Sequence, residues 1–264
     1  MSQRQEKARG FTMLEMMVAM GIFLVICGAM FELLQLSQKK YSSETQLSAT
    51  YQDARLAIDQ IVRDVSVAGY PPVSVYTGVA PAPFSQFAIS PVAWSPNYGT
   101  SPCTVIAGGG GTCSTPGDYD LIVETRLAGD SFVSWVWYHL DTTKFTLYRE
   151  VVPKTSGDPL ARVTSAGTMV PLLENVMNNP GGQLAQITAN FPAMFPGGGP
   201  QPLFQYSCDT PPGPAPCGQA GAYNASNNIR DVDVTLIVKT PQQDMQTESM
   251  KLVELNGRGH RLNP

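Results

Sequence analysis

Between positions 11 and 31 the chain reads FTMLEMMVAMGIFLVICGAMF, 21 residues with a single charge, Glu15. Coiled as a helix, such a run spans about 30 Å, the hydrocarbon thickness of a bilayer. A polar, net basic decapeptide, MSQRQEKARG, precedes it. Positive charge ahead of a span places the N-terminus in the cytoplasm and the remainder on the far side. A secretory signal has a shorter apolar core followed by a small-x-small cleavage site. Here no Ala-x-Ala follows the run, and the abrupt boundary lies before it, at Gly10–Phe11.

Helix is expected to continue past the membrane, because residues 39–68 contain neither Pro nor Gly. Leu47, Tyr51, Ala54, Ile58, Ile61, Val65 and Ala68 recur at alternating spacings of four and three. That is one apolar stripe, opposed by Gln, Arg and Asp. Gly69 and the pair Pro71-Pro72 end it. The spacing therefore predicts one helix from Phe11 to about Ala68, apolar all round in its first half and one-sided in its second. Leu47, Tyr51, Ile58, Ile61 and Val65 are the expected packing residues.

Beyond Pro72 the pattern changes. Residues 71–118 and 177–201 are rich in Gly and Pro and read as loops. Strand-like runs occupy 120–125, 132–140, 145–152, 203–207, 229–240 and 246–255, with 170–176 a short strand or turn. Asp141-Thr142-Thr143-Lys144 makes a hairpin turn between the second and third runs. The strongest alternation is Val232, Val234, Leu236 and Val238. A long helix followed by antiparallel strands is an α+β chain. Its segments are 1–10, 11–36 (membrane), 37–70 (amphipathic helix) and 71–264 (β-rich globular domain).

Of five cysteines, Cys27 lies in the apolar run. The others form two close pairs in Gly/Pro-rich loops, Cys103 with Cys113 and Cys208 with Cys217. Neither pair has C-x-x-C spacing or a nearby His, so disulfides are expected rather than zinc. Disulfides imply an oxidising compartment, which agrees with the side of the membrane assigned from charge.

Several chemistries find no support. The net charge is −4. Loss of residues 1–10 removes Arg4, Lys7, Arg9 and Glu6, leaving 14 basic and 20 acidic residues, or −6. An acidic chain without a basic stripe is a poor nucleic-acid binder. No H-E-x-x-H, G-x-S-x-G or phosphate-binding loop occurs. Gly129-Asp130-Ser131 reads as a turn, and His139 and His260 have no motif partner. Asp118 with Asp120, and Asp231 with Asp233, read as solvated strand edges or turns. Calcium is the alternative there, but a hard cation takes six to eight oxygens and no dense acidic cluster appears. No metal, cofactor or catalytic residue is expected.

Gly10-Phe11-Thr12-Met13-Leu14-Glu15, behind a basic leader and ahead of an apolar run, resembles the processing signal of the type IV pilin superfamily. The resemblance implies cleavage between Gly10 and Phe11 by a prepilin peptidase, with N-methylation of Phe11. It implies that Glu15 faces the amino group of a neighbouring subunit and sets axial register. Its partners would be other pilins, the peptidase, an inner-membrane assembly platform and the lipid bilayer before assembly. Residues 55–65, Ala68-Gly69-Tyr70, Leu147-Tyr148-Arg149-Glu150, 172–176 and Ile229-Arg230-Asp231-Val232 are similar to blocks of PilW-type minor pilins and of J-type pseudopilins. A structural subunit is implied, a minor pilin first and a pseudopilin second. A membrane-anchored periplasmic binding or adhesion module is the reading from another class.

Overall fold

The structure is a computed structural model of the 264-residue chain. It describes residues 11–72, 86–88, 91–93, 118–154, 169–210, 213–217, 228–244, 247 and 249–263. Gly10 and the pair Cys103 and Cys113 lie outside the described residues.

Helix α1 runs Met13–Ser66, 54 residues, or about 80 Å. Thr12 caps its start, and Gly69 turns the chain away beyond its end at φ +81°, a conformation that suits a residue without Cβ. The Gly69 N–H donates to the Glu124 carbonyl, which ties the helix exit to a strand.

Two antiparallel sheets follow where one was expected. β1 (Val92–Ala93), β2 (Asp120–Thr125), β3 (Ser134–Asp141), β4 (Thr146–Pro153) and β5 (Val170–Leu173) form a meander in that order. The second sheet has order β7-β6-β8-β9, from β6 (Phe204–Thr210), β7 (Gly213–Pro216), β8 (Ile229–Lys239) and β9 (Leu252–His260). Backbone bonds from Leu203 and Phe204 to the Asp118 carbonyl, and from Met177 to Ile237, join the two. The β3–β4 turn is closed by the Asp141 carboxylate, which accepts from the N–H groups of Thr143 and Lys144. Those bonds, with one from the Thr143 hydroxyl, hold the Asp141 carboxyl down at about 2.

One core lies between α1 and the sheets. Ala54, Ala57, Ile58, Ile61 and Val65 share it with Val232, Val234, Leu236 and Val238 of β8 and with Leu121, Val123, Val136 and Tyr138 of the meander. The helix lies mainly along β9, which presents Gly257 and Gly259 to it. A Cβ at 259 would sit 2.7 Å from Val65 Cβ, and one at 257 would overlap Ile58 Cγ2. Two bare backbone positions thus let helix and strand touch.

Three further expectations are corrected. Tyr51 is 47% exposed and outside the core, because at 3.6 residues per turn it lies roughly 80° from the centre of the buried stripe. Leu47, on that stripe but nearer the N-terminal half of α1, is half-buried. The last strand is 252–260 rather than 246–255, since Asp244 is held on α1 and the strand continues through Gly257 and Gly259, its contact points with the helix. Residues 177–201 are not all loop: Leu184–Asn190 form α2, whose Ile187 joins Met177, Phe195 and Ile237 in a small second core on the outer face of β8.

Candidate functional site

Among the described residues the first half of α1 has no partner. Phe11, Met13, Leu14, Met17, Phe23, Leu24, Val25, Met30 and Phe31 are each more than 60% exposed. The 18-residue window apolar enough to cross a membrane is 0% buried. Only Glu15 and Glu32 carry charge between 11 and 36. Uncovered apolar surface on this scale marks a face that belongs against lipid or protein.

At its tip the geometry is specific. Thr12 Oγ1 accepts from the Glu15 N–H at 3.3 Å. Glu15 Oε2 in return accepts from the Thr12 N–H and from the Thr12 hydroxyl, each at 2.9 Å. This reciprocal cap satisfies two of the free N–H groups of the first turn and sets a carboxylate at the positive end of the helix dipole. A charge that would otherwise be costly in an apolar span is thereby partnered within its own turn.

The far half of α1 is fixed to both sheets by polar contacts as well as by packing. Asp64, buried at 2% exposure, accepts from the Tyr138 hydroxyl at 2.6 Å, from Arg149 Nη2 at 2.9 Å and from Gln60 at 3.0 Å. Burial first, and then the Asp64 charge, push the Tyr138 hydroxyl far above its usual range, so it stays a donor. Two of the short blocks singled out in the sequence, 55–65 and 147–150, meet at the Asp64–Arg149 pair. Nearer the membrane half, the Ser43 hydroxyl donates to Asp244 at 2.9 Å, and Lys251 Nζ reaches Asp244 at 2.7 Å and Ser43 at 2.9 Å. Gln46 donates to Gln242 beside them. This clasp seats the β8–β9 connection on α1.

The titratable pairs elsewhere are partnered within the fold. His139 Nδ1 lies 2.8 Å from Asp120 Oδ1, which also accepts from Trp137 Nε1. The Asp120 hydrogen bond raises the His139 pKa against the effect of burial. His260 and Arg258 both bond Asp231, which is buried rather than a solvated edge. Burial pushes the Asp231 carboxyl up, but these two donors outweigh it and the net shift is downward. Neither His had a partner visible in the sequence, because each pairing spans two strands. No hydroxyl or thiol bonds either imidazole among the described residues, and no group of three potential metal ligands occurs there. Lys154 and Glu124 form a fully buried pair at 2.8 Å, with Trp135 Nε1 on the other carboxylate oxygen. Burial lowers the Lys154 pKa despite that partner. Cys208 and Cys217 are disulfide-bonded across the β6–β7 hairpin, and Cys27 is a free thiol.

Residues 6–31 match the family model for the prokaryotic N-terminal methylation motif. No curated protein and no solved structure matches the chain. The match covers about a tenth of the sequence. With the uncovered apolar helix and the capped Glu15, it supports a subunit of the type IV pilin-like kind, anchored in a membrane and later held in a filament.

Proposed function

We propose that this chain is a minor pilin that enters, or primes assembly of, a type IV pilus. Residues 1–10 are the leader, removed on the cytoplasmic side by a prepilin peptidase that then methylates the new amino group of Phe11. Residues 11–36 are the membrane span and later the filament-core helix. Residues 37–70 are its amphipathic continuation, and 71–264 the domain carried across the membrane. The observation that carries the reading is the helix itself. It begins at Met13, just past the proposed cleavage boundary, and leaves its first half uncovered among the described residues, while its other half is locked into the core.

The protein performs no chemistry in this scheme. Subunits wait in the inner membrane until a cytoplasmic ATPase, working through a platform protein, lifts them out. Apolar helix faces then leave lipid and bury one another. Glu15 exchanges its cap on Thr12 for the methylated amine of a neighbour, which fixes the axial step. A J-type pseudopilin of a secretion system would use the same helix in the same way. Scoring pili and secreted proteins separately in a deletion strain tells the two apart.

The deciding experiment is intact mass and N-terminal sequencing from cells with and without prepilin peptidase. A chain beginning at N-methyl-Phe11, found only with the peptidase, is the expected result. Retention of residues 1–10 in both strains overturns the reading and leaves a plainly anchored binding module.

A further inference from the structure

From 175 to 208 the sequence holds no Asp, Glu, Lys, Arg or His. At the chain's own 14% charged residues, about five would fall in these 34 positions. The segment is instead rich in carboxamides: Asn175, Asn178, Asn179, Gln183, Gln186, Asn190, Gln201 and Gln205. Some serve the fold. Asn178 is fully buried, donating to the Thr235 carbonyl and accepting from the Ile237 N–H, and Gln201 donates to the Gly199 carbonyl. Others do not. Gln183, Gln186 and Asn190, at spacings of three and four, stand on one stripe at α2 and make no side-chain hydrogen bond among the described residues.

That stripe forms one wall of a groove of about 450 Å³. Gln243, Ser249 and Met250, from the connection that the Ser43 clasp seats on α1, form the other wall. Ile187, Phe191 and Leu252 make an apolar floor. No charged side chain lines it among the described residues. Each carboxamide offers two donors and an acceptor, so the walls can both give and take hydrogen bonds above an aromatic and aliphatic base.

We propose that this groove binds a neutral oligosaccharide. A sugar presents what the groove lacks: hydroxyls that donate and accept, C–H faces that pack on a ring such as Phe191, and no charge. Among the described lining residues an anionic polymer would find no cation and a cationic one no carboxylate. The groove lies on the face of the β8–β9 pair opposite α1. In a filament with α1 at its centre that face looks outward, but binding itself is independent of assembly.

The test uses the full chain in a zwitterionic detergent without a sugar headgroup. Maltohexaose, N-acetylchitohexaose and mannohexaose are titrated by calorimetry and saturation-transfer NMR, with heparin and an uncharged peptide beside them. At least one neutral hexasaccharide is expected to bind at millimolar concentration or below. Q186E and N190D keep the side-chain shape but replace N–H donors with charge on an exposed helix edge, and should each weaken it about tenfold. D59N, on the far side of the domain, should leave it unchanged. The proposal is overturned if none of the three sugars binds, if heparin or the peptide binds as well as the best sugar, or if both groove variants bind like the parent.

Discussion

Replacing Gly257 by alanine sets two physical effects of opposite sign against each other. The backbone there is not left-handed, so alanine fits the strand conformation. Where space is open, a compatible Gly→Ala change stabilises a fold by roughly 0.4–1 kcal/mol through the unfolded chain. At 257 the space is not open. The new Cβ would overlap Ile58 Cγ2 and lie 3.5 Å from Val62 Cγ2, and Ile58 is 6% exposed on a helix that cannot easily retreat. Overpacking of this kind costs about 1–3 kcal/mol. Sterics should win, for a net loss of about 1–2 kcal/mol, or about 2–8 °C in Tm for a domain of this size. The assay is thermal unfolding of the full chain in detergent, followed by fluorescence of the buried Trp135. Gly199→Ala, at φ −103° with nothing within 4 Å of its Cβ, is the control and should be neutral or slightly stabilising. Ile58→Ala should cost about 2–5 kcal/mol alone, yet less in the double variant, where the two methyl groups no longer compete. A raised Tm for Gly257→Ala, or strict additivity with Ile58→Ala, would refute direct helix–strand contact as the reason for the glycine.

Three further outcomes follow from the polar interior and from the helix tip. Lys154→Met should cost about 3–5 kcal/mol by removing the buried cation that lies 2.8 Å from Glu124, and adding Glu124→Gln, which keeps an acceptor for Trp135, should recover most of it in denaturant titration. Because His139 has a raised pKa when folded, its pairing with Asp120 stabilises fully below about pH 6.5 and fades as pH climbs through the raised value. The Tm gap between the parent and His139→Gln should therefore be wider near pH 5.5 than near pH 8.5, and an equal gap at both would count against the pairing. Glu15→Ala should still be cleaved after Gly10 but enter filaments poorly, and incorporation at the parental level in sheared filament fractions would remove the register role.

The helix was legible because its two halves have different and simple periodicities. Phe11–Phe31 has no polar side chain after Glu15, and Ile58, Ile61 and Val65 repeat at helical spacing. β8 was legible for the same reason, as Val232, Val234, Leu236 and Val238 face the core. Pairing was not. Alternation within a strand says nothing about which sheet it joins, so two sheets read as one. Tyr51 misled because large apolar residues dominate a pattern, whereas the small Ala54 and Ala57 are the ones almost completely buried. β9 was displaced because Gly257 and Gly259 look like strand breakers until the helix they accommodate is in place. Asp231 read as solvated because its partners, Arg258 and His260, come from a neighbouring strand. The small helix α2 was hidden by its Gly and Pro flanks, with only Leu184, Ile187 and Phe191 to mark its inner face.

The intimacy of α1 with β9 carries a consequence for biogenesis. The Ser43–Asp244 contact joins residues 201 apart in sequence, and Ile58 meets Gly257 across a similar span. Early-made and late-made segments thus complete one core between them. Long-range closure of this kind is slow and leaves apolar surface open to aggregation in the meantime. A nascent chain tethered by its membrane half would spend that interval spread on a two-dimensional surface, with its stripe of Ile58, Ile61 and Val65 waiting for a strand still emerging from the translocation channel. An anchor formed by the uncovered half of α1 would thus act as a folding chaperone in cis.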